Sequence, residues 1–130
     1  MRHVRIALAS GLAATAAAAV IAPATAQNAG GNAAAGQAVF ARCAACHAVT
    51  AGTNRLGPSL FGIVGRKSGT AAGFAYSPAM KNAKITWTAG RLDAFLTRPS
   101  ATVPGTKMTF AGIPSAADRA NLIAYLATRR

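Results

Sequence analysis

Apolar residues recur at helical spacing in three stretches of this chain, and turn-forming residues fill most of what lies between them. Residues 33–46 are Ala-rich and predict a first helix, because Ala carries the best intrinsic helix propensity. Gly36 and Phe40 lie four apart on one face of it. A glycine inside a helix costs stability unless another backbone must come close there, so a second helix is expected to cross at Gly36. Residues 88–97 predict another helix, with Thr88 as N-cap and Leu92, Phe95 and Leu96 as its apolar stripe; Arg98-Pro99 should stop it. Residues 115–129 predict the last, opened by a variant capping box at Ser115-Ala116-Ala117-Asp118, with Leu122, Ile123 and Leu126 as its periodicity and Tyr125 beside them. Arg129 and Arg130 suit the negative end of that helix dipole. Residues 48–84 are rich in Gly, Ser, Thr and Asn and read as loops, with a helical turn at 77–82 and a short apolar patch at 60–64. Loops this long in a small domain are functional or disordered, and here they would wrap a cofactor.

The N-terminus follows a different pattern. A basic Met1-Arg2-His3-Val4-Arg5 precedes an apolar run over 6–22, and Ala24-Thr25-Ala26 is a small-residue cleavage site. Residues 1–26 are therefore expected to be a cleaved secretory signal, 27–32 a linker, and 33–130 the functional domain. The rival, an uncleaved anchor, is disfavoured because Ser10, Gly11 and Thr15 break the run and Pro23 ends it. No later stretch is apolar enough to span a bilayer.

Charge narrows the partners. The chain holds 14 Lys and Arg against 2 Asp and no Glu. Arg2 and Arg5 fall in the signal segment, so twelve cations and a formal +10 remain. Such a surplus favours acidic partners. Export argues against nucleic acid, and no interleaving of aromatic and basic residues supports it.

The candidate chemistry sits in Cys43-Ala44-Ala45-Cys46-His47, a C-x-x-C-H run and the attachment signature of a c-type haem. On a helical turn, positions i, i+3 and i+4 share a face, so both sulfurs and the imidazole can meet one flat ring. A structural zinc site would want four ligands, and beyond the signal segment there are only these two Cys, this His, Asp93 and Asp118. A thioredoxin-like dithiol would need a βαβ pattern, which is missing; a plain disulfide would leave His47 unexplained. The oxidising compartment reached by export is where thioether attachment is completed. A sixth iron ligand could come from Met108, in the turn-forming Pro104-Gly105-Thr106-Lys107-Met108, or from Met80, for which core filling is the commoner use. With about 98 residues after the linker, the domain buries a modest core, and a covalently held macrocycle would supply missing interior.

Taken with Leu56-Gly57-Pro58-Ser59-Leu60, Gly65-Arg66-Lys67-Ser68-Gly69, Gly73-Phe74-Ala75-Tyr76-Ser77, Ile85-Thr86-Trp87 and Leu122-Ile123-Ala124-Tyr125-Leu126, these motifs make the chain resemble the class I c-type cytochromes, the mitochondrial and periplasmic cytochrome c group, over about residues 36–127. The resemblance implies a small all-α cytochrome c fold, with N- and C-terminal helices crossing and further short helices and loops wrapping one covalently attached haem c. It implies thioethers at Cys43 and Cys46, axial ligands His47 and Met108, and a Pro58 carbonyl that accepts the second ring N–H of His47. Arg66, Tyr76 and Trp87 would hold the buried propionate, with Thr106 nearby, and Gly36 and Phe40 would pack on Leu122 and Tyr125. For Tyr76 and Trp87, ordinary core packing is the alternative. Two positions depart from the mitochondrial pattern: Phe95 stands where that pattern has a Tyr bonded to the Met sulfur, and Met80 where it has an Asn.

The implied function is one-electron transfer by a periplasmic, monomeric, non-enzymatic carrier. Docking faces would be the acidic surfaces of a quinol-oxidising complex, a terminal oxidase or a photosynthetic reaction centre. Arg42, Lys67, Lys81, Lys84, Arg98 and Lys107 are the candidates for a basic ring about the haem edge; a generally solvated basic surface is the alternative. Two other functions stay open on sequence: a haem enzyme or ligand sensor with an open sixth site, and an electron-accepting subunit dedicated to one periplasmic dehydrogenase.

Overall fold

A computed structural model describes residues 30–130; the expected signal segment 1–26 and the first residues of the linker lie outside the described residues. Five helices follow in order: α1 (Ala33–Phe40), α2 (Pro78–Asn82), α3 (Ala89–Thr97), α4 (Pro99–Thr102) and α5 (Ala116–Ala127). Among the described residues there is no strand, only an isolated antiparallel bridge between Lys67 and Thr86. The architecture is small and all-α, as expected from the sequence.

The helix starts are set by side chains. Asn32 accepts from the Ala35 amide, Ser77 from Met80, Thr88 from Arg91 and Ser115 from Asp118. Each cap satisfies one amide that the first turn leaves without a partner. Three boundaries differ from expectation, one of them the end of α5, which stops at Ala127 and not at residue 129. The first helix ends at Phe40, not at residue 46; residues 41–46 go on as consecutive turns whose amides reach back mostly three residues, as in Arg42 to Val39 and Cys43 to Phe40. The chain tightens there just before the C-x-x-C-H run. Pro99 does more than stop α3: it occupies the first turn of α4, where its missing N–H costs nothing.

α1 crosses α5, and the crossing is tight because Gly36 has no side chain. A Cβ on Gly36 would stand 1.9 Å from the Asn121 carbonyl oxygen. The Asn32 amide donates to Asn121 Oδ1 at 2.7 Å, and the Phe40 and Tyr125 rings lie 5.5 Å apart. α5 packs its other flank on α3. The resulting core joins Leu92, Phe95 and Leu96 of α3 to Leu122, Ile123, Tyr125 and Leu126 of α5, with Ile63, Trp87, Val103 and Ile113 from the connections. Among the described residues no helix is long and apolar enough to cross a membrane.

Candidate cofactor site

The C-x-x-C-H run forms one turn directly after α1. The Cys46 and His47 amides both donate to the Cys43 carbonyl, at 3.1 and 2.9 Å. The turn is held from outside: the Gly57 amide donates to the Cys46 carbonyl at 2.8 Å, and an Arg55 Nη to the Ala44 carbonyl at 3.0 Å. Cys43 is half-buried and Cys46 exposed. Burial raises the Cys43 thiol pKa; the neighbouring Arg42 charge opposes this and Cys46 adds to it.

His47 is fixed at its other ring nitrogen. Its Nδ1 lies 2.7 Å from the Pro58 carbonyl oxygen. A carbonyl can only accept, so Nδ1 carries the proton and Nε2 presents its lone pair. Burial lowers the His47 pKa, the Arg66 charge pushes the same way, and the Pro58 bond opposes both. The imidazole is thereby held neutral, the form that binds metal. Gly57 makes the fit possible, because a Cβ there would stand 2.3 Å from His47 Cε1.

These groups face a cavity of about 580 Å³, within the usual range of cofactor sites, about 300–1,000 Å³. All nine residues predicted from sequence line it: Cys43, Cys46, His47, Pro58, Arg66, Tyr76, Trp87, Thr106 and Met108. So do the core side chains Ile63, Leu92, Phe95, Leu96, Leu122 and Leu126, which leave it predominantly apolar. Residues 65–68 and 85–87 run antiparallel. Gly65 donates to Trp87, Trp87 to Arg66 and Ser68 to Ile85, which sets Arg66 and the buried Trp87 side by side. One Arg66 Nη donates to the Phe61 carbonyl at 3.0 Å, while its Nε is buried with no partner among the described residues. Burial lowers the Arg66 pKa, and Tyr76 opposes that by charge and hydrogen bond.

Met108 arrives on an irregular loop after α4. Thr106 Oγ1 accepts from the Met108 amide at 3.3 Å. Lys107 turns back across residues 74–75, its ammonium 4.7 Å from the Phe74 ring centroid and donating to the Ala75 carbonyl. Met80, on α2, lines the same cavity and is also half-buried, so it does not sit in the closed core that its commoner use would suggest.

The cytochrome c family model matches residues 33–130. The chain belongs to the cytochrome c family. Cytochrome c2 of Rhodoblastus acidophilus is 54% identical over 93 residues, which cover 71% of this chain and 87% of that protein. The "cytochrome c-type cyt cy" of Rhodobacter capsulatus is 54% identical over 99 residues, 75% of this chain; the match spans only about half (49%) of that longer relative. Among solved structures, cytochrome cH from Methylobacterium extorquens superposes with a TM-score of 0.72 at 45% identity, covering 75% of this chain and 99% of that one.

As a member of this family the chain is a c-type haem electron carrier with one covalently attached haem c. The residues present fit that group. A thiol pair and a neutral imidazole share one turn, the cavity is apolar, and the orphaned Arg66 Nε is a buried donor suited to a carboxylate. Of the six basic-ring candidates all are exposed, but only Arg42 and Lys107 line the cavity. Sequence reasoning passed over Leu56, which lines the cavity yet is 81% exposed. It also passed over Arg119, an arginine at only 9% exposure. Leu56 stood in a recognised motif and could have been flagged; Arg119 carries no local signal.

Proposed function

We propose that Cys43 and Cys46 carry the two thioethers, that His47 and Met108 are the axial ligands, and that the protein shuttles single electrons between acidic-faced redox proteins of the periplasm. The observation that carries this reading is that the Cys43–His47 turn and the Met108 loop meet at one apolar cavity. The bound haem supplies the Fe(III)/Fe(II) couple. Pro58 holds His47 in the ligating tautomer, and its carbonyl raises the basicity of the ring. Thr106 braces the Met108 backbone. A thioether ligand favours the reduced state and raises the potential. Arg66, Tyr76 and Trp87 supply charge and hydrogen bonds at the buried propionate edge. With His47 and Met108 both holding the iron, no position would be left for a substrate, which suits electron transfer rather than catalysis.

Cleavage before Gln27 would release a monomeric carrier into the periplasm. The docking partners are a quinol-oxidising complex, a terminal oxidase or a photosynthetic reaction centre. Both Asp side chains are already engaged with arginines, Asp93 with Arg119 and Asp118 with Arg42; of the remaining ten cations of the domain, all but Arg66 and Arg129 are exposed, and these eight have no acidic side chain as partner among the described residues. Rates with an acidic-faced partner should fall as added salt screens that field. A flat salt profile would instead mean apolar docking.

The test of the ligand set is the visible and near-infrared spectrum of the exported protein. A low-spin ferric spectrum with a sulfur-to-iron charge-transfer band, and a ferrous form that resists carbon monoxide, is the expected result. A high-spin spectrum with ready carbon monoxide binding would give the open-site enzyme or sensor instead.

A further inference from the structure

We propose that Arg119, paired with Asp93, is a positioning residue for Met108: it pins the outgoing arm of the Met108 loop and thereby sets how firmly the thioether is held toward the iron. The proposal rests on the assignment of Met108 as axial ligand.

An arginine is almost never buried unless it is paired. Arg119 is 9% exposed on α5, and three bonds account for it. Its Nε donates to Asp93 Oδ1 on α3 at 2.7 Å. One Nη donates to the Ile113 carbonyl at 2.8 Å and to the Pro114 carbonyl at 2.9 Å. A single guanidinium thus ties α3, α5 and residues 113–114 at one point. The planar fork suits this task, since an ammonium cannot hold a carboxylate and two carbonyls in fixed directions.

Those two carbonyls end the arm that carries Met108. The incoming arm is braced at short intervals: Val103 donates to Pro99, Thr106 to Val103, and Met108 to Thr106 Oγ1. The outgoing arm is irregular from residue 109 to 115. Its backbone is next held at Ile113, which is fully buried and donates to the Leu96 carbonyl at 2.7 Å. Gly112 lies against the end of α3 so closely that a Cβ would stand 2.2 Å from the Thr97 carbonyl oxygen. Arg119 locks this seat from the opposite end of the same residues.

Met108 binding to the iron closes a loop between two anchors, Thr106 and Ile113. Loosening the second anchor moves the effective end of the loop from Ile113 to the start of α5 at Ala116, from about seven to about ten residues, which weakens closure about 1.7-fold. Losing the charge-assisted bonds that orient the arm should add to that.

The test is exogenous imidazole, titrated into the ferric holoprotein, because it competes with the thioether for the iron. Asp93→Ala removes the carboxylate that orients the guanidinium on the Ile113 and Pro114 carbonyls, and should raise the apparent imidazole affinity about 1.7-fold, the loop-closure figure. Arg119→Lys keeps the charge, loses the fork, and should raise it about ten-fold, with a fall in midpoint potential. Far-UV circular dichroism in denaturant reports global stability separately. If imidazole affinity and potential stay at wild-type values while only the unfolding midpoint falls, Arg119 is a structural staple and the proposal is overturned. Should Arg119→Lys not fold, Asp93→Ala decides alone. Met108→Ala is the control: it must raise imidazole affinity more than either variant, and if it does not, the Met108 assignment fails independently of Arg119.

Discussion

The α1–α5 crossing and the cavity loops solve the same problem, burying apolar surface in a small domain, in opposite ways. At the crossing, side chain meets side chain and backbone meets backbone: Gly36 lets the Asn121 carbonyl in, the Phe40 ring packs tilted against Tyr125, and Tyr125 is buried by protein alone. Around the cavity, Leu60, Met80, Met108 and Phe110 are only partly buried, and the segments bearing them are held by turns and caps with little regular structure. The first region is complete as protein. The second is organised about something the protein does not itself supply. Small domains gain limited burial from their own chain, so the loops' share of the interior depends on the macrocycle.

Removing the attachment chemistry tests this contrast most strongly. A Cys43→Ser/Cys46→Ser double variant, which cannot retain haem c covalently, should lose cooperative unfolding. Hydrogen exchange should show residual protection confined to α1 and α5, with residues 48–84 and 103–114 exchanging near unprotected rates. Equal protection in both regions would mean the loops fold on their own and would remove the distinction.

Two glycines sharpen it. Gly36→Ala places a methyl group 1.9 Å from the Asn121 carbonyl oxygen, and neither helix backbone can give way locally. Alanine's better helix propensity returns about 1 kcal/mol, but overpacking against backbone should cost about 3 kcal/mol or more, so a net loss is expected in denaturant unfolding. Gly57→Ala places its methyl group 2.3 Å from His47 Cε1, a side chain tethered at Pro58. Here the ring can tilt, so global stability should fall less, by about 1–2 kcal/mol, while the haem spectrum and potential change more than in Gly36→Ala. Stability loss without spectral change in Gly57→Ala would place that residue with the crossing and blur the comparison.

The two regions also differed in how far the sequence disclosed them. Helix positions were readable because their signals are local: Thr88 and Ser115 cap the next residues, and Leu92, Phe95 and Leu96 fall on one stripe. The C-x-x-C-H run was readable because five contiguous residues carry it. The expected crossing at Gly36 followed from one glycine in an alanine-rich helix, though which helix crossed came only from the family resemblance. What could not be read are contacts joining distant stretches. Arg119 meets Asp93 and Ile113, and Lys107 reaches Ala75, 32 residues away. Nothing in the local pattern at 119 separates a buried clamp from a solvated helix charge. The end of α1 at Phe40 escaped for a related reason. Ala41 to Cys46 has helical propensity, and the tightening into turns is imposed by Gly57 and Arg55 bonding to it from another segment.

The smallest expected effect lies where the two regions touch. Phe95 is on α3, buried in the core, yet lines the cavity with its ring 4.9 Å from that of Trp87. It is the position at which the mitochondrial pattern has a tyrosine. Phe95→Tyr adds one hydroxyl to a wall that Met80, Leu92 and Leu96 keep apolar. A buried hydroxyl must find an acceptor, and the Met108 thioether is one that the cavity offers. A hydrogen bond to that sulfur draws on its lone pairs and weakens its donation to Fe(III) more than to Fe(II), so the potential should rise. Weak bonds to neutral acceptors are worth about 0.5–1 kcal/mol, which for one electron corresponds to a rise of about 20–40 mV. Voltammetry resolves such a shift. An unchanged potential would mean that the hydroxyl bonds elsewhere and that the core face of Phe95, not its cavity face, decides what the residue does.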